Sequence, residues 1–509
     1  MKSGYRYLLL TVFISGMTTL AVELSASRLL DPYFGNSNLI WANLIGLILI
    51  YLAAGYYLGG RLADRYPRPA AFYQIIAWAA FLVGLVPFAA RPLLSRISSQ
   101  LLSTAQLDIL AGSFIGVLGL FALPVTLLGC VSPFAIRLAV RDVDQAGNVA
   151  GGIYALSTLG SILGTFLPVL VLVPIVGTRA TFLIFSGLLL LVALGGLFRA
   201  APRLALAYSL LPMILIVLTF LLPGGTIKAA EGLVYETESA YNYIQVVDWD
   251  RRYLLLNEGQ GIHSVYDPKE LATHGTWDYF LLAPFFNPPP HPPDRVGRLC
   301  LIGLAAGTIS KQYSAVYGPI PIDGIEIDPE IIRVGREYFD MIEPNLNAIA
   351  ADGRTFLAHT GQRYDVIGID AYRLPYIPWH LTTVEFFQEV DQHLTESGVT
   401  VINVGHTDSD WRLVEAMVAT LGRVFPSVHV INVPATFNAV IVATAQPTEA
   451  ANLKANLPGL EHPLLAQTAQ RALANLHPVA SGGLVFTDDK APVEYLTNAV
   501  MLRYFMFGE

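Results

Sequence analysis

The chain has 509 residues, of which 54% are hydrophobic and only 14% charged, and its net charge is −8. This balance is foreign to a wholly soluble protein, and a net acidic chain lacks the basic face that nucleic-acid binding requires. The charge is also split, with 13 Lys/Arg against 6 Asp/Glu in the first 226 residues and 18 against 33 in the rest.

Met1 to Thr226 reads as a transmembrane domain. A helix needs about 20 apolar residues to cross a bilayer. Seven stretches qualify: Tyr7–Leu30, Leu39–Gly59, Phe72–Ala90, Ile109–Gly129, Val149–Val176, Thr181–Phe198 and Leu204–Leu222. The segment from Pro124 to Val140 leaves room for a re-entrant piece or an eighth span. Lys2 and Arg6 precede the first apolar run, but no small-residue cleavage site ends it, so it reads as a retained span. Glu23 lies inside that span with Arg28 five residues on, and an acid in lipid usually has a role or a partner. Arg61, Asp64, Arg65 and Arg68 read as an orienting interfacial loop.

Orientation draws opposite answers from two arguments. The N-terminus and the loops after spans two, four and six hold nine Lys/Arg against about four on the other side, which puts the N-terminus in the cytoplasm. Seven spans would then leave the C-terminal half outside, away from cytosolic nucleotide-like donors. Donor access decides the expectation: a multi-pass protein of the cell membrane with its soluble domain in the cytoplasm.

Residues 227–290 change character. The alternation in GLVYETESAYNYIQVVDWDRRYLLLNEGQGIHSVYDP, with Tyr243, Gln245 and Val247 on one face, predicts a small antiparallel sheet of hairpins. The proline-rich FNPPPHPPDR is a linker. Residues 291–509 then alternate short apolar strands (RLCLIGL, PIDGIEID, LNAIAAD, YDVIGIDAY, VTVINVG, HVINV, AVIVATA) with helices, the pattern of a mostly parallel, doubly wound sheet. The two cysteines, Cys130 and Cys300, suit neither a disulfide framework nor a zinc site, and no metal is expected.

Chemistry concentrates at the strand ends. LIGLAAGTIS runs a strand into a turn where Gly303 and Gly307 let a ligand approach the backbone, although an ordinary tight turn would look similar. About 20 residues on, Glu326 ends the next strand, where an acid accepts ribose hydroxyl protons. Asp352 and Gly353 end a third, placed for an adenine amino group. Asp370, at the end of YDVIGID, faces the crevice where open α/β sheets bind ligands, and a carboxylate there can orient or deprotonate a nucleophile. An Asp starting a turn is the bland alternative.

The succession LIGLAAG, GIEIDPE, ADGRTFL, RYDVIGIDAY, LTTVEFF and TDDKAPVEYL resembles spermidine synthases, the aminopropyltransferases, over about Glu231–Leu496. FISGMTTLAVELSASRLL and GYYLGGRLADRYPRP resemble the membrane region of multi-pass, spermidine-synthase-fused proteins, and the second also resembles a loop motif of major facilitator transporters. The resemblance implies a membrane helical bundle, a β-hairpin subdomain, and a Rossmann-like fold of the class I S-adenosylmethionine-dependent methyltransferase type. It makes Asp370 the catalytic acid/base and Gly303, Gly307, Glu326, Asp352, Gly353 and Asn242 donor-binding. Acceptor-side positions fall on Arg373, Tyr372, Asp278 and Gln260.

Some positions depart from the family. The aspartate that grips the aminopropyl amine is Ala306 here, the second acid after the catalytic one is Arg373, and a family Gln and His become Asn242 and Asp278. Asp278 is a candidate to replace the lost amine grip, and Arg373 suits phosphate or carboxylate. The expectation is a membrane-integral transferase using decarboxylated S-adenosylmethionine, or S-adenosylmethionine itself, as co-substrate. Its acceptor is an amine, either a polyamine or a lipid head group, and a homo-oligomer is compatible with the sequence. Two alternatives stand beside it: methyl transfer to a membrane substrate, and a polyamine transporter or sensor with a non-catalytic binding domain.

Overall fold

A computed structural model describes residues 2–35, 38–100, 106–222, 227–257, 261–373, 375–478 and 482–507. The chain forms two compact units. One comprises Met1–Ala230, Glu236–Tyr243 and Asn257–Gly259; the other comprises Glu231–Tyr235, Ile244–Leu256 and Gln260–Glu509.

The first unit is helical: α1 (Lys2–Phe34), α2 (Asn38–Arg65), α3 (Pro69–Gln100), α4 (Gln106–Gly129), α5 (Val131–Ala139), α6 (Ala146–Leu167), α7 (Val173–Ala200), α8 (Pro202–Tyr208) and α9 (Leu210–Leu221). Among the described residues, six helical stretches are long and apolar enough to cross a membrane. The fifth, Val143–Ala200, holds two of the seven expected spans. As one straight helix its 58 residues would run about 87 Å, far more than a bilayer's apolar core of about 30 Å. It is broken at Gly177, whose φ of 80° and ψ of 167° leave helical space. The helix restarts at Thr178, where Glu238 accepts from the Thr178 amide at 3.1 Å and its hydroxyl at 3.0 Å, satisfying a free donor of the new first turn. The segment after Pro124 continues α4 and then forms α5.

Both faces of these helices are apolar. Phe220 and Leu221 of α9 are 80% and 71% exposed, a surface that suits lipid rather than water. The contact of α6 with α1 is built from small residues. A Cβ on Gly160 or Gly164 of α6 would lie 2.1 Å from the Phe13 carbonyl oxygen or 2.0 Å from that of Met17 on α1. Such backbone contact is how helices associate without a hydrophobic drive. Residues five apart on a helix do not face each other. Accordingly Arg28 turns not to Glu23 but to the Ala240 carbonyl and to Asp31, 3.8 Å away.

β1 (Leu233–Glu238), β2 (Tyr243–Asp248), β3 (Arg252–Leu256) and β4 (Ile262–Tyr266) make a sheet in that order, with β2–β3 and β3–β4 antiparallel. Five of the six β2 residues are buried, so both of its faces are covered, not the single face that its alternation suggests.

The α/β part of the second unit contains an eight-stranded sheet of β5 (Leu299–Ile302), β6 (Ile322–Glu326), β7 (Leu346–Ala350), β8 (Tyr364–Ile369), β9 (Leu394–Gly405), β10 (Ser427–Asn432), β11 (Asn438–Thr444) and β12 (Leu476–His477). Their order is β12-β10-β11-β9-β8-β5-β6-β7. β7, β6, β5, β8 and β9 run parallel, and β11 runs against both neighbours. This is the doubly wound methyltransferase-type order expected. Side chains alternate between two cores: Leu299 and Leu301 lie in one, Cys300 and Ile302 in the other. The order reverses between β5 and β8, so a crevice opens at their carboxyl ends.

We predict that Gly164→Val, which drives a branched side chain into the α1 backbone, destabilises the helical unit by about 1–3 kcal/mol. Thermal unfolding in detergent should show a lower midpoint. Gly152→Ala, where a Cβ meets nothing within 4 Å, should not lower it.

Candidate active site

The crevice begins with the turn after β5. Gly303 has φ of 90°, and a Cβ on it would stand 2.5 Å from the Asp370 carbonyl oxygen. Only glycine lets the two strand ends meet this closely. Gly307, also at φ of 90°, starts α11 (Thr308–Tyr317), and its missing Cβ leaves room for Met341. The turn is tied down from two sides: Ala305 donates to Glu326 Oε2 at 3.0 Å, and Ala306 to Ser264 Oγ at 2.9 Å.

Glu326, at the end of β6, also accepts from the Asp328 amide at 3.1 Å. Burial pushes its carboxyl up to about 7 despite these two backbone donors. Each oxygen keeps a lone pair for a further donor.

Asp352 caps α13 (Gly353–His359), accepting from the Thr355 amide at 2.8 Å, while its other oxygen meets His380 Nε2 at 3.0 Å. Burial raises its carboxyl, but Thr355 and His380 outweigh that, so it lies below the usual carboxylate range. Gly353 presses against Ile302 of β5, with room for no Cβ.

Asp370 follows β8, fixed by its amide donating to the Ile302 carbonyl at 2.8 Å. Its carboxylate is held from two sides. Trp277 Nε1, on α10 (Thr276–Phe280), donates to Oδ2 at 2.8 Å, and Asn403 Nδ2, on β9, to Oδ1 at 3.0 Å. Burial raises the carboxyl to about 6 against the pull of these donors. That value leaves it ionised at neutral pH yet basic enough to take a proton. Tyr372 donates to the Asn403 carbonyl at 3.0 Å, tying the loop after β8 to β9.

The structure corrects the sequence expectation for Asp278. Only 1% exposed, it is no free grip for an amine. Its oxygens accept from the Thr273 amide and hydroxyl, the His274 amide and Gln312 Nε2, at 2.7–2.9 Å. Four donors already compensate the charge, and the residue fixes the start of α10 and so places Trp277. Asn242 groups with the helical unit, where its Oδ1 accepts from Asn257 Nδ2 at 3.2 Å. Gln260 lies outside the described residues. Arg373 is exposed and pairs through its backbone with Tyr376, with amide-to-carbonyl distances of 2.8 and 3.0 Å.

Trp277, Asn403, His380 and Ser264 escaped sequence reasoning. None lies in a recognisable motif, and each reaches the site from an element distant in the chain.

The Spermine/spermidine synthase domain family matches residues 316–455. A probable polyamine aminopropyl transferase of Bifidobacterium longum is 33% identical over 286 residues, covering 52% of this chain and 62% of the relative. The polyamine aminopropyltransferase of Vibrio vulnificus is 30% identical over 213 residues, covering 40% of this chain and 68% of the relative. The chain belongs to the polyamine aminopropyltransferase family. A probable spermidine synthase structure from Corynebacterium glutamicum aligns with 50% of this chain and all of its own at 20% identity, with a TM-score of 0.37. Against the aminopropyltransferase pattern, Ala306 stands in an apolar cluster with Ile244, Leu254 and Val334, where the family's turn carries an acid.

Two variants test whether this crevice holds an adenosine group. Glu326→Ala removes a buried acceptor; Asp352→Asn keeps the helix cap, since Asn caps as well as Asp, but removes the charge. Each should weaken methylthioadenosine binding by about 10- to 150-fold, the value of a charge-assisted hydrogen bond. Calorimetry measures this, and unchanged affinity in both would remove adenosine from the site.

Proposed function

We propose that the C-terminal unit transfers an aminopropyl group from decarboxylated S-adenosylmethionine to an amine, with Asp370 as the base. The observation that carries this reading is the Asp370 carboxylate, raised to about 6 and aimed by Trp277 and Asn403 at the sheet's switch point. Glu326 would hold the ribose hydroxyls and Asp352 the adenine amino group. The acceptor nitrogen attacks the aminopropyl carbon, the C–N bond forms as the C–S bond breaks, and the bonding pair leaves with sulfur as methylthioadenosine. The nitrogen's surplus proton passes to Asp370. Sulfonium is already a good leaving group, so the residues chiefly align the reactants and keep the amine neutral. Burial and the neighbouring sulfonium both lower the amine's pKa toward that of Asp370.

Arg373 bears on the acceptor. It stands where the family has an acid, and a like charge about 4 Å from a small dication costs a few kcal/mol at an effective dielectric near 20. The acceptor in our reading is therefore an amine whose other end is neutral or anionic. A chain with its helical unit in the membrane would meet such an amine as a lipid head group, which fits that description.

The test supplies labelled donor to the full-length protein in native lipids. Methylthioadenosine release with label in the lipid extract supports the whole reading. Efficient conversion of free putrescine overturns the acceptor assignment, and release of S-adenosylhomocysteine when S-adenosylmethionine is the donor supplied would establish methyl transfer instead, the reading that Ala306 favours. Asp370→Asn should keep donor affinity within a few-fold while turnover falls by roughly 10²–10⁴; turnover near the parent's would reduce Asp370 to a loop residue.

A pH profile adds an independent check. Asp370 must be ionised to act, so turnover should rise with pH through about 6 and then level. Trp277→Phe removes one donor to the charged form and should move that limb to higher pH by about one to two units, since a hydrogen bond to a charged group is worth roughly 1.5–3 kcal/mol. A limb that stays in place would mean that Trp277 only fills space.

A further inference from the structure

Away from the transferase site, the helical unit contains a cavity of about 280 Å³ lined by Leu62, Tyr66, Gln74, Ile75, Trp78 and Phe134, among others. That volume would hold about nine waters at roughly 30 Å³ each. The lining offers them only the Tyr66 hydroxyl and the Gln74 carboxamide, because Leu62, Ile75, Leu127 and Phe134 are apolar and the Trp78 N–H is already directed at the Tyr208 hydroxyl, 3.2 Å away. A hydrocarbon chain fits the chemistry better.

Two of the lining residues, Leu62 and Tyr66, belong to the corner between α2 and α3, a motif that the transferase reading leaves unused. Arg61, Arg65 and Arg68 are all exposed there. Arg61 lies over the Tyr57 ring at 4.2 Å, and Arg65 over Tyr66, itself a lining residue, at 5.5 Å. Asp64, the acid of this corner, is paired with Arg137 at 3.0 Å, so the cluster of four arginines and one aspartate keeps a strong positive excess. Below the corner, Ala71, Gln74, Ile75 and Trp78 form one stripe down α3. At 1.5 Å per residue, Gln74 lies about 9 Å and Trp78 about 15 Å beyond Arg68 along the helix. The order from the corner along α3 is cation, then carboxamide, then aliphatic and indole groups, which is the order of phosphate, ester and acyl chain in a phospholipid.

We infer that this groove is a binding site for one anionic phospholipid, its phosphate held at Arg65 and Arg68, its ester region at Gln74 and an acyl chain along Trp78, Ile75 and Phe134. The inference rests on the membrane placement of the helical unit and is independent of the acceptor of the transferase reaction. Charge complementarity selects the occupant: a zwitterionic lipid brings its own cation to a corner that already has an excess of them.

The full-length protein, reconstituted in bilayers, reports on the groove through Trp78. Phosphatidylglycerol with brominated acyl chains should quench tryptophan fluorescence more than equally brominated phosphatidylcholine at the same mole fraction. Trp78→Phe should abolish the difference. Arg65→Ala and Arg68→Ala, at exposed positions that do not endanger the fold, should each weaken the preference about five-fold, the value of one basic residue against an anionic lipid. Equal quenching by the two lipids overturns the inference. So does a preference that survives Trp78→Phe or the double arginine variant. Methylthioadenosine binding, unchanged in all these proteins, separates this outcome from any failure of the transferase reading.

Discussion

The site depends on one carboxylate kept charged where burial would neutralise it. Asp370 stands at the point where the strand order reverses, and desolvation there raises its pKa to about 6. Two neutral donors, Trp277 and Asn403, hold the charge without cancelling it. A cationic partner would hold it more strongly and remove its basicity, whereas a fully apolar surround would protonate it at neutral pH. Indole and carboxamide occupy the useful middle ground.

The scaffold behind this carboxylate serves its placement. Asp278 gathers four donors and fixes the turn that begins α10, the helix that carries Trp277. Gly303 brings β5 against the Asp370 backbone, closing the crevice floor. Glu326 shows the opposite electrostatic balance to Asp352. Glu326 is buried with only backbone amides for compensation and is raised to about 7; Asp352, with a capped amide and His380 beside it, is lowered. Two acids in corresponding strand-end positions thus differ in the direction of their shift.

The helical unit follows a different rule. With apolar residues on both faces, sequence hydrophobicity does not distinguish inside from outside, and packing is decided by fit between neighbouring helices. Glycines permit the closest helix contacts, as between α1 and α6, while Phe121, Phe182 and Phe185 fill the interior and Phe220 and Leu221 face outward. The break at Gly177 divides a segment too long for one bilayer crossing, and Glu238 accepts from the Thr178 amide in the first turn beyond it.

Much of this was legible in the residues alone. Apolar runs of bilayer length marked the helices, the strand–helix alternation marked the doubly wound sheet, and the order of Gly303, Glu326, Asp352 and Asp370 along successive strand ends marked the crevice. These features are local or periodic, and a linear sequence records both. What only the tertiary structure decided was which side chains converge. Trp277 and Asn403 are 93 and 33 residues from Asp370 along the chain, and His380 is 28 from Asp352. Asp278 passed for an open acid until its four donors were seen. Hydrogen-bond partnership and burial belong to groups brought together through space, so no spacing rule along the chain reveals them.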